Sequence, residues 1–169
     1  LGKYGGREPN YHSDLDVIFL YEADGQTRPA RRARPTSSTS NQHFFGELGQ
    51  RIIKAASQPG PYGRLFEIDA RLRPTGRSGA LATSLPELIR YFEEGEGQLW
   101  ERLALCKARV VYGEPAAAQR TMDAIWRVTY GRAWQASDAD EIYQMRMRLE
   151  ETASPRNIKR TEWIAQRIQ

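Results

Sequence analysis

Two periods of apolar and polar positions run along the chain. Leu15-Asp16-Val17-Ile18-Phe19-Leu20-Tyr21 is a short, partly β-branched run after a polar turn, and it predicts a buried strand. From Asn41 to about Ser57, Phe44 and Phe45, Leu48, Ile52 and Ile53, and Ala56 return at three- and four-residue spacing, which predicts an amphipathic helix stopped by Pro59-Gly60. Leu65 to Ala70 reads as a second strand, Thr75 to Gly79 as a turn, and Ala80 to Thr83 as a short third strand. Ser84-Leu85-Pro86-Glu87 has capping-box spacing and opens a helix through about Glu94. Helices are further expected over Gln98–Val111, Pro115–Tyr130 and Asp138–Thr152, the last with Ser137 as N-cap. The first half thus mixes strands and helices, the second is helical, and no internal repeat is visible.

Between the first strand and first long helix, residues 22–41 are rich in Pro, Ser, Thr and Arg and have almost nothing to bury. They read as a mobile surface loop or insertion. The whole chain has 169 residues, 40% hydrophobic and 27% charged, which is the size and balance of a soluble domain able to bury its own core. Collagen-like, disulfide-scaffold and wholly disordered readings are excluded. Cys106 is a single cysteine and offers no internal disulfide, and no apolar run approaches the roughly 20 residues of a membrane span. The start, Leu1-Gly2-Lys3-Tyr4-Gly5-Gly6, has no signal-peptide pattern and reads as a chain cut from something longer. A cytoplasmic protein with no membrane partner is the expectation.

Charge adds little. Lys and Arg number 25 against 21 Asp and Glu, a formal net charge of +4. Most of the basic residues are Arg, whose fork matches phosphate oxygens, although a compositional bias towards Arg accounts for this equally. Arg28, Arg31, Arg32 and Arg34 lie together in segment 22–41, where they could steer an acidic partner or simply stand in solvent. The rest is nearly balanced, unlike the patterned excess of a nucleic-acid binder, so no nucleic-acid partner is expected.

Candidate chemistry begins at Asp14-Leu15-Asp16. Residues two apart on an extended chain share a face, so both carboxylates can aim at one spot, where a hard cation such as Mg²⁺ would relieve their repulsion. A solvated turn is the plainer account of the pair alone. Gly5-Gly6 shortly before it lets backbone N–H groups approach an anion, or forms an ordinary turn. The second strand carries Glu67, Asp69, Arg71 and Arg73 at alternate positions. Beside Asp14 and Asp16 that face would add a third acid and cations for phosphate oxygens, the set that metal-assisted phosphoryl or nucleotidyl transfer requires.

Gly2-Lys3-Tyr4-Gly5-Gly6-Arg7-Glu8-Pro9-Asn10, then Ser13-Asp14-Leu15-Asp16-Val17-Ile18-Phe19, resembles the nucleotidyltransferase signature of glutamine-synthetase adenylyltransferases. The likeness continues through Phe44–Ile53, Glu67-Ile68-Asp69-Ala70-Arg71-Leu72-Arg73-Pro74, Ser78-Gly79, and Trp100-Glu101 to Lys107-Ala108-Arg109. The resemblance implies an α+β fold: a polymerase-β-like nucleotidyltransferase core over residues 1–113, with a mixed sheet flanked by helices, and a truncated helical extension over 114–169. It implies transfer of AMP from ATP to a tyrosine of glutamine synthetase, or its removal by phosphorolysis, with Mg²⁺ or Mn²⁺. By motif position Asp14, Asp16 and Asp69 would be catalytic metal ligands, and Asp69 could also help take the tyrosine proton. Gly5, Gly6 and Ser13 would lie at the nucleotide, and Arg71 and Arg73 would face phosphate or serve structure. Glutamine synthetase is the implied partner, and a PII-type signal protein is a regulator known for the family. Tyr21, Ala70–Pro74 and Val110–Gly113 lean towards the transferring half. Asn157-Ile158-Lys159-Arg160 resembles the segment that precedes a glycine-rich acidic stretch in many members, but here Thr161-Glu162-Trp163 follows directly.

Other residues have plainer readings. His12 is expected to be a turn residue and His43 a surface side chain. Cys106 is expected to pack within a helix, and Trp100, Trp126, Trp134 and Trp163 to anchor the core or helix contacts. Lys107 and Arg109 could hold phosphate or partner, or line a helix surface. A transferase with another acceptor, such as RNA or a small molecule, and a non-catalytic docking half of the same enzyme are the competing readings.

Overall fold

The structure, a computed structural model, describes residues 1–10, 13–28, 38–61, 63 and 66–152. Two compact units are formed, Leu1–Arg132 and Ala133–Gln169. The first holds helix α1 (Gly2–Gly5), strands β1 (Leu15–Asp16) and β2 (Phe19–Tyr21), helix α2 (Asn41–Ser57), strand β3 (Ile68–Asp69), strand β4 (Ala82–Ser84), and helices α3 (Leu85–Glu93), α4 (Leu99–Leu105) and α5 (Pro115–Tyr130). The second holds helix α6 (Ala136–Thr152). The mixture is α+β, as expected.

The first apolar run is divided. β1 pairs in parallel with β3, Leu15 opposite Ile68 and Asp16 opposite Asp69. β2 pairs in parallel with β4, from Phe19 opposite Ala82 to Tyr21 opposite Ser84. Val17 and Ile18 form the step between the two pairs, and the amide of Val17 still donates to the Asp69 carbonyl at 2.8 Å. Alternation then works as a strand should. Ile18 and Leu20 pack against a core of Leu1, Leu88, Phe92, Leu105, Ile125 and Val128 supplied largely by α3, α4 and α5. Phe19 and Tyr21 face α2: Phe19 lies against Gly49, and the Tyr21 ring stacks on Phe45 with centroids 5.0 Å apart. Gly49 is buried, and a Cβ there would come within 3.1 Å of the Leu81 side chain, so this glycine sets how closely α2 approaches the strands.

Helix ends follow their capping chemistry. The hydroxyl of Ser40 accepts from the amide of His43, and that of Ser84 from the amide of Glu87. Glu114 accepts from the amides of Ala116 and Ala117 ahead of α5. α4 starts from a reciprocal capping box of Gln98 and Glu101 but ends at Leu105, well before the expected Val111. α6 starts at Ala136, so Ser137 lies inside its first turn and is not the N-cap; the Asp138 carboxylate accepts from the Gln135 amide there.

Several single-residue expectations are corrected. Trp100, Trp126 and Trp134 are exposed and do not anchor the core; Trp126 pairs instead with Tyr130 along α5, centroids 5.0 Å apart. Cys106 is exposed at the end of α4. The apolar stripe of α2 is wider than one face: Phe45, Ile53 and Ala56 are partly buried, while Phe44, Leu48 and Ile52 remain exposed. His12, Leu65, Trp163, residues 157–160, and Arg31, Arg32 and Arg34 lie outside the described residues. The base of segment 22–41 is ordered by contacts. Gln26 and Ser40 form an antiparallel bridge, and the Asn41 side chain donates to the Ala23 carbonyl at 2.9 Å.

Candidate functional site: a carboxylate and guanidinium cleft

The parallel pairing of β1 with β3 sets Asp16 beside Asp69. Asp14 lies just ahead of the ladder, so the strict two-residue alternation does not extend to it. An open cleft of about 720 Å³ collects Asp14, Glu67, Asp69, Arg71, Arg73 and Arg77 with Ile53 and Leu81. Asp16 borders a different cavity, of about 610 Å³, together with Leu1, Tyr4, Arg109 and Tyr112. The carboxylate of Asp16 occupies the space that a Cβ on Gly2 would fill, which is why a glycine stands there. The sequence pattern therefore brings Asp14 and Asp69 to one cleft, while Asp16, beside Asp69 in the strand register, lines the other cavity.

Asp69 is the best-held acid of the three. The backbone amide of Arg71 donates to its Oδ1 at 2.9 Å, and Arg71 Nε lies 2.8 and 2.7 Å from the two carboxylate oxygens. Arg71 Nη2 completes the pair on Oδ2. These bonds hold the Asp69 carboxyl below its ordinary range against the opposing effect of burial, and Arg77 contributes in the same direction. Asp14 and Asp16 both act electrostatically on Arg71. One guanidinium thus stands in the field of all three carboxylates.

Arg73 is committed to structure. Its guanidinium donates to the carbonyls of Ala70, Gly79 and Arg77, tying the end of β3 to the turn that follows. β3 ends at Asp69, so the alternating face expected to carry Glu67, Asp69, Arg71 and Arg73 is not built as a strand. Thr75 and Gly76 both adopt left-handed conformations, φ 58° and 57°, and reverse the chain. That reversal returns Arg77 to the cleft, a cation that sequence reasoning passed over as part of a turn. Its signal is an arginine set in Thr-Gly-Arg-Ser-Gly directly after an Asp-x-Arg-x-Arg segment.

The glycines and serine have local duties. A Cβ on Gly5 would overlap the Lys107 carbonyl oxygen, so Gly5 is required for packing of α1 on the 107–109 segment. Gly6 lies beside Glu8, and Ser13 closes a turn by donating to Asn10 Oδ1 at 2.7 Å. Arg109 is not on a helix face: it donates to the Gly5 and Tyr4 carbonyls. Lys107 pairs with Glu8 at 3.6 Å.

As chemistry, the acids are of the type a hard divalent cation takes: oxygen donors only, Asp14 and Asp69 on one cleft and Asp16 opposite Asp69 on the neighbouring strand. Among the described residues, no three Asp, Glu, His or Cys side chains converge closely enough to share one ion in this arrangement. The residues fit the ion by donor type alone, and Arg71 is the cation that Asp69 holds here.

Comparison with known proteins gives the family. The family of glutamate-ammonia ligase adenylyltransferases matches residues 1–124. A bifunctional glutamine synthetase adenylyltransferase/adenylyl-removing enzyme from Pseudomonas syringae is 36% identical over 100% of this chain and 18% of its own length. The protein of that name from Vibrio parahaemolyticus is 48% identical over 66% of this chain and 11% of its own length, and that from Pseudomonas aeruginosa 34% identical over 100% and 18%. The chain therefore spans about a fifth of the length of the Pseudomonas relatives. With the match covering most of the first unit, the chain belongs to the glutamate-ammonia ligase adenylyltransferase family.

Proposed function

We propose that this chain carries a nucleotidyltransferase core that moves AMP between ATP and a tyrosine of glutamine synthetase. The observation that supports it is the cleft in which Asp14 and Asp69 face Arg71 and Arg77, built on the β1–β3 register, in a chain of this family. The parallel pairs with α2 on one face and α3 to α5 on the other are compatible with a polymerase-β-like core over residues 1–113, followed by the helical extension of 114–169. No described helix is long and apolar enough to cross a membrane, and the proposed setting is cytoplasmic.

Asp14, Asp16 and Asp69 would hold Mg²⁺ or Mn²⁺. When bound, such an ion would neutralise the α-phosphate and lower the barrier to in-line attack by the tyrosine oxygen. The chain's own residues supply the rest. Arg77, which has no hydrogen bond or ion pair through its guanidinium among the described residues, is placed to neutralise phosphate oxygens across the cleft. Asp69 Oδ offers an acceptor for the tyrosine proton. Arg73 fixes the Gly76–Ser78 turn and so the position of Arg77. Gly5 and Gly6 hold the N-terminal turn against Lys107 and Glu8, which limits them to a backing role at the nucleotide.

The test is the intact mass of glutamine synthetase subunits after incubation with this chain and Mg²⁺-ATP. Gain of one AMP per modified subunit, absent with Asp16→Asn, is the expected result. Removal of AMP from modified subunits in the presence of phosphate would instead assign the reverse direction. Absence of both changes would overturn the proposal.

A further inference from the structure

The proposed site contains its own cation. Arg71 engages both oxygens of Asp69 through Nε at 2.8 and 2.7 Å, and through Nη2, while its backbone amide takes Oδ1 as well. Few acceptor positions on that carboxylate remain for another cation. The Arg71 side chain is 57% exposed and the Asp69 side chain 13% exposed. The arm can therefore leave without opening the core, whereas the carboxylate stays where β3 puts it. Glu67 and Arg73 line the same cleft; Asp14 and Asp16 attract Arg71, and Arg77 acts on Asp69.

From this arrangement, and resting on the metal-dependent reading above, we propose that Arg71 is a positioning residue that makes divalent-cation binding and polyphosphate binding depend on each other. A divalent ion reaching Asp69 must displace the guanidinium, which then leaves a favourable bidentate pair with nothing in exchange. A polyphosphate in the cleft offers that exchange, because phosphate oxygens accept the same fork that Asp69 accepted. Each ligand thus removes the obstacle to the other, and linkage requires the coupling to be reciprocal. Bare metal binds weakly, and nucleotide opens the carboxylate set.

The test titrates Mn²⁺ onto the full chain, followed by electron paramagnetic resonance of the free ion, with and without α,β-methylene-ATP. Arg71→Gln is expected to bind Mn²⁺ alone roughly tenfold more tightly than the wild type, within the usual range of such couplings. The analogue should strengthen Mn²⁺ binding less in Arg71→Gln than in the wild type by the same factor. Arg71→Lys, with charge but no fork, should fall between them, and Asp69→Asn should weaken binding in every background. Circular dichroism and thermal unfolding check that each variant is folded. Equal or weaker Mn²⁺ binding by folded Arg71→Gln overturns the coupling and leaves the metal site standing. No Mn²⁺ binding by any protein, with or without the analogue, overturns the metal site itself and the coupling with it.

Discussion

Arg109 reaches the carbonyl of Gly5, 104 residues earlier in the chain, with Nε donating at 3.1 Å. Its Nη2 donates to the Tyr4 carbonyl at 3.0 Å, and the guanidinium lies over the Tyr4 ring, 5.0 Å from the centroid. Those carbonyls end α1, where a cation is favourable and helix acceptors otherwise go unmet. One side chain thus holds the glycine-rich start of the chain against the segment after α4. Arg109→Met should cost about 1–3 kcal/mol in urea unfolding, because the Gly5 carbonyl loses its side-chain donor and the Tyr4 carbonyl keeps only the Arg7 amide at 3.3 Å. Arg109→Lys, able to serve one carbonyl well but not two, should recover only part of that loss.

Glycine substitutions should separate close approach from mere flexibility. Gly5→Ala pushes a methyl into the Lys107 carbonyl and should destabilise by about 1–3 kcal/mol, as overpacking does. Gly46 lies within α2 with nothing within 4 Å of an added Cβ. Gly46→Ala should therefore stabilise by roughly 0.5–1 kcal/mol through helix propensity. Thermal melts of the two variants side by side check the opposite signs.

Asp69 predicts an acid limb in stability. Its carboxyl titrates below the ordinary 3.8 in the folded chain because Arg71 stabilises the charged form. The unfolded chain therefore binds the proton first. The stabilisation is fully present above the unfolded value and disappears as pH falls through the lowered native value. Unfolding free energy measured from pH 6 downwards should fall less steeply below about pH 4 in Asp69→Asn than in the wild type. Nucleotidyl transfer by that variant should drop by about two orders of magnitude or more if Asp69 serves the reacting phosphate.

Tyr21 predicts the mirror case. Burial pushes its phenol up to about 12, and the hydrogen bond to Asp24, 2.9 Å, adds to the rise. Asp24 is itself fixed by the Ser84 hydroxyl at 3.1 Å. A raised native value means the contribution is complete below pH 10 and is lost as pH rises towards about 12. The Tyr91 and Tyr130 phenols are also raised, so ultraviolet titration should show a late-ionising group of tyrosines that loses one member in Tyr21→Phe. That variant should also lose less stability between neutral pH and strongly alkaline pH.

Much of this was legible in advance, and the exceptions have physical causes. α2, α3 and α5 follow from spacing and caps, because a helix's periodicity and its end signals are both local. The strands were harder. Val17 and Ile18 continue the apolar run without a break, yet the chain steps there from one parallel partner to another, and partner choice is not encoded in a local pattern. Asp14 and Asp69 reach one cleft because β1 lies beside β3, which sequence could only assume. Local pattern does not reveal Arg77, because its place in the cleft depends on two consecutive left-handed residues that turn the chain back. Residue type suggests Trp100 and Trp126 as anchors of the core or of helix contacts, whereas their positions on α4 and α5 face outward.

Leu88, only 1% exposed, is the centre of the packing behind the strands. Leu88→Ala should cost about 2–5 kcal/mol, and the upper part of that range applies if α3 and α5 cannot close the cavity. A melt showing under 1 kcal/mol would mean that the core seats Phe92 and Val128 independently of it.

The bridge of Gln26 with Ser40 closes the base of the connection between β2 and α2. It is joined by the Thr27 amide donating to the Thr39 carbonyl at 2.8 Å and by the Asn41 amide donating to Gly25 at 2.9 Å. These bonds finish the exit from β2 and the entry to α2 before the intervening stretch begins. The connection behaves as a closed clasp, so residues gained or lost inside it leave both elements in register. Doubling such a length costs only about 0.6 kcal/mol in closure entropy. A change of chain length between Arg28 and Ser38 is therefore expected to leave the register of β2 and the start of α2 unchanged.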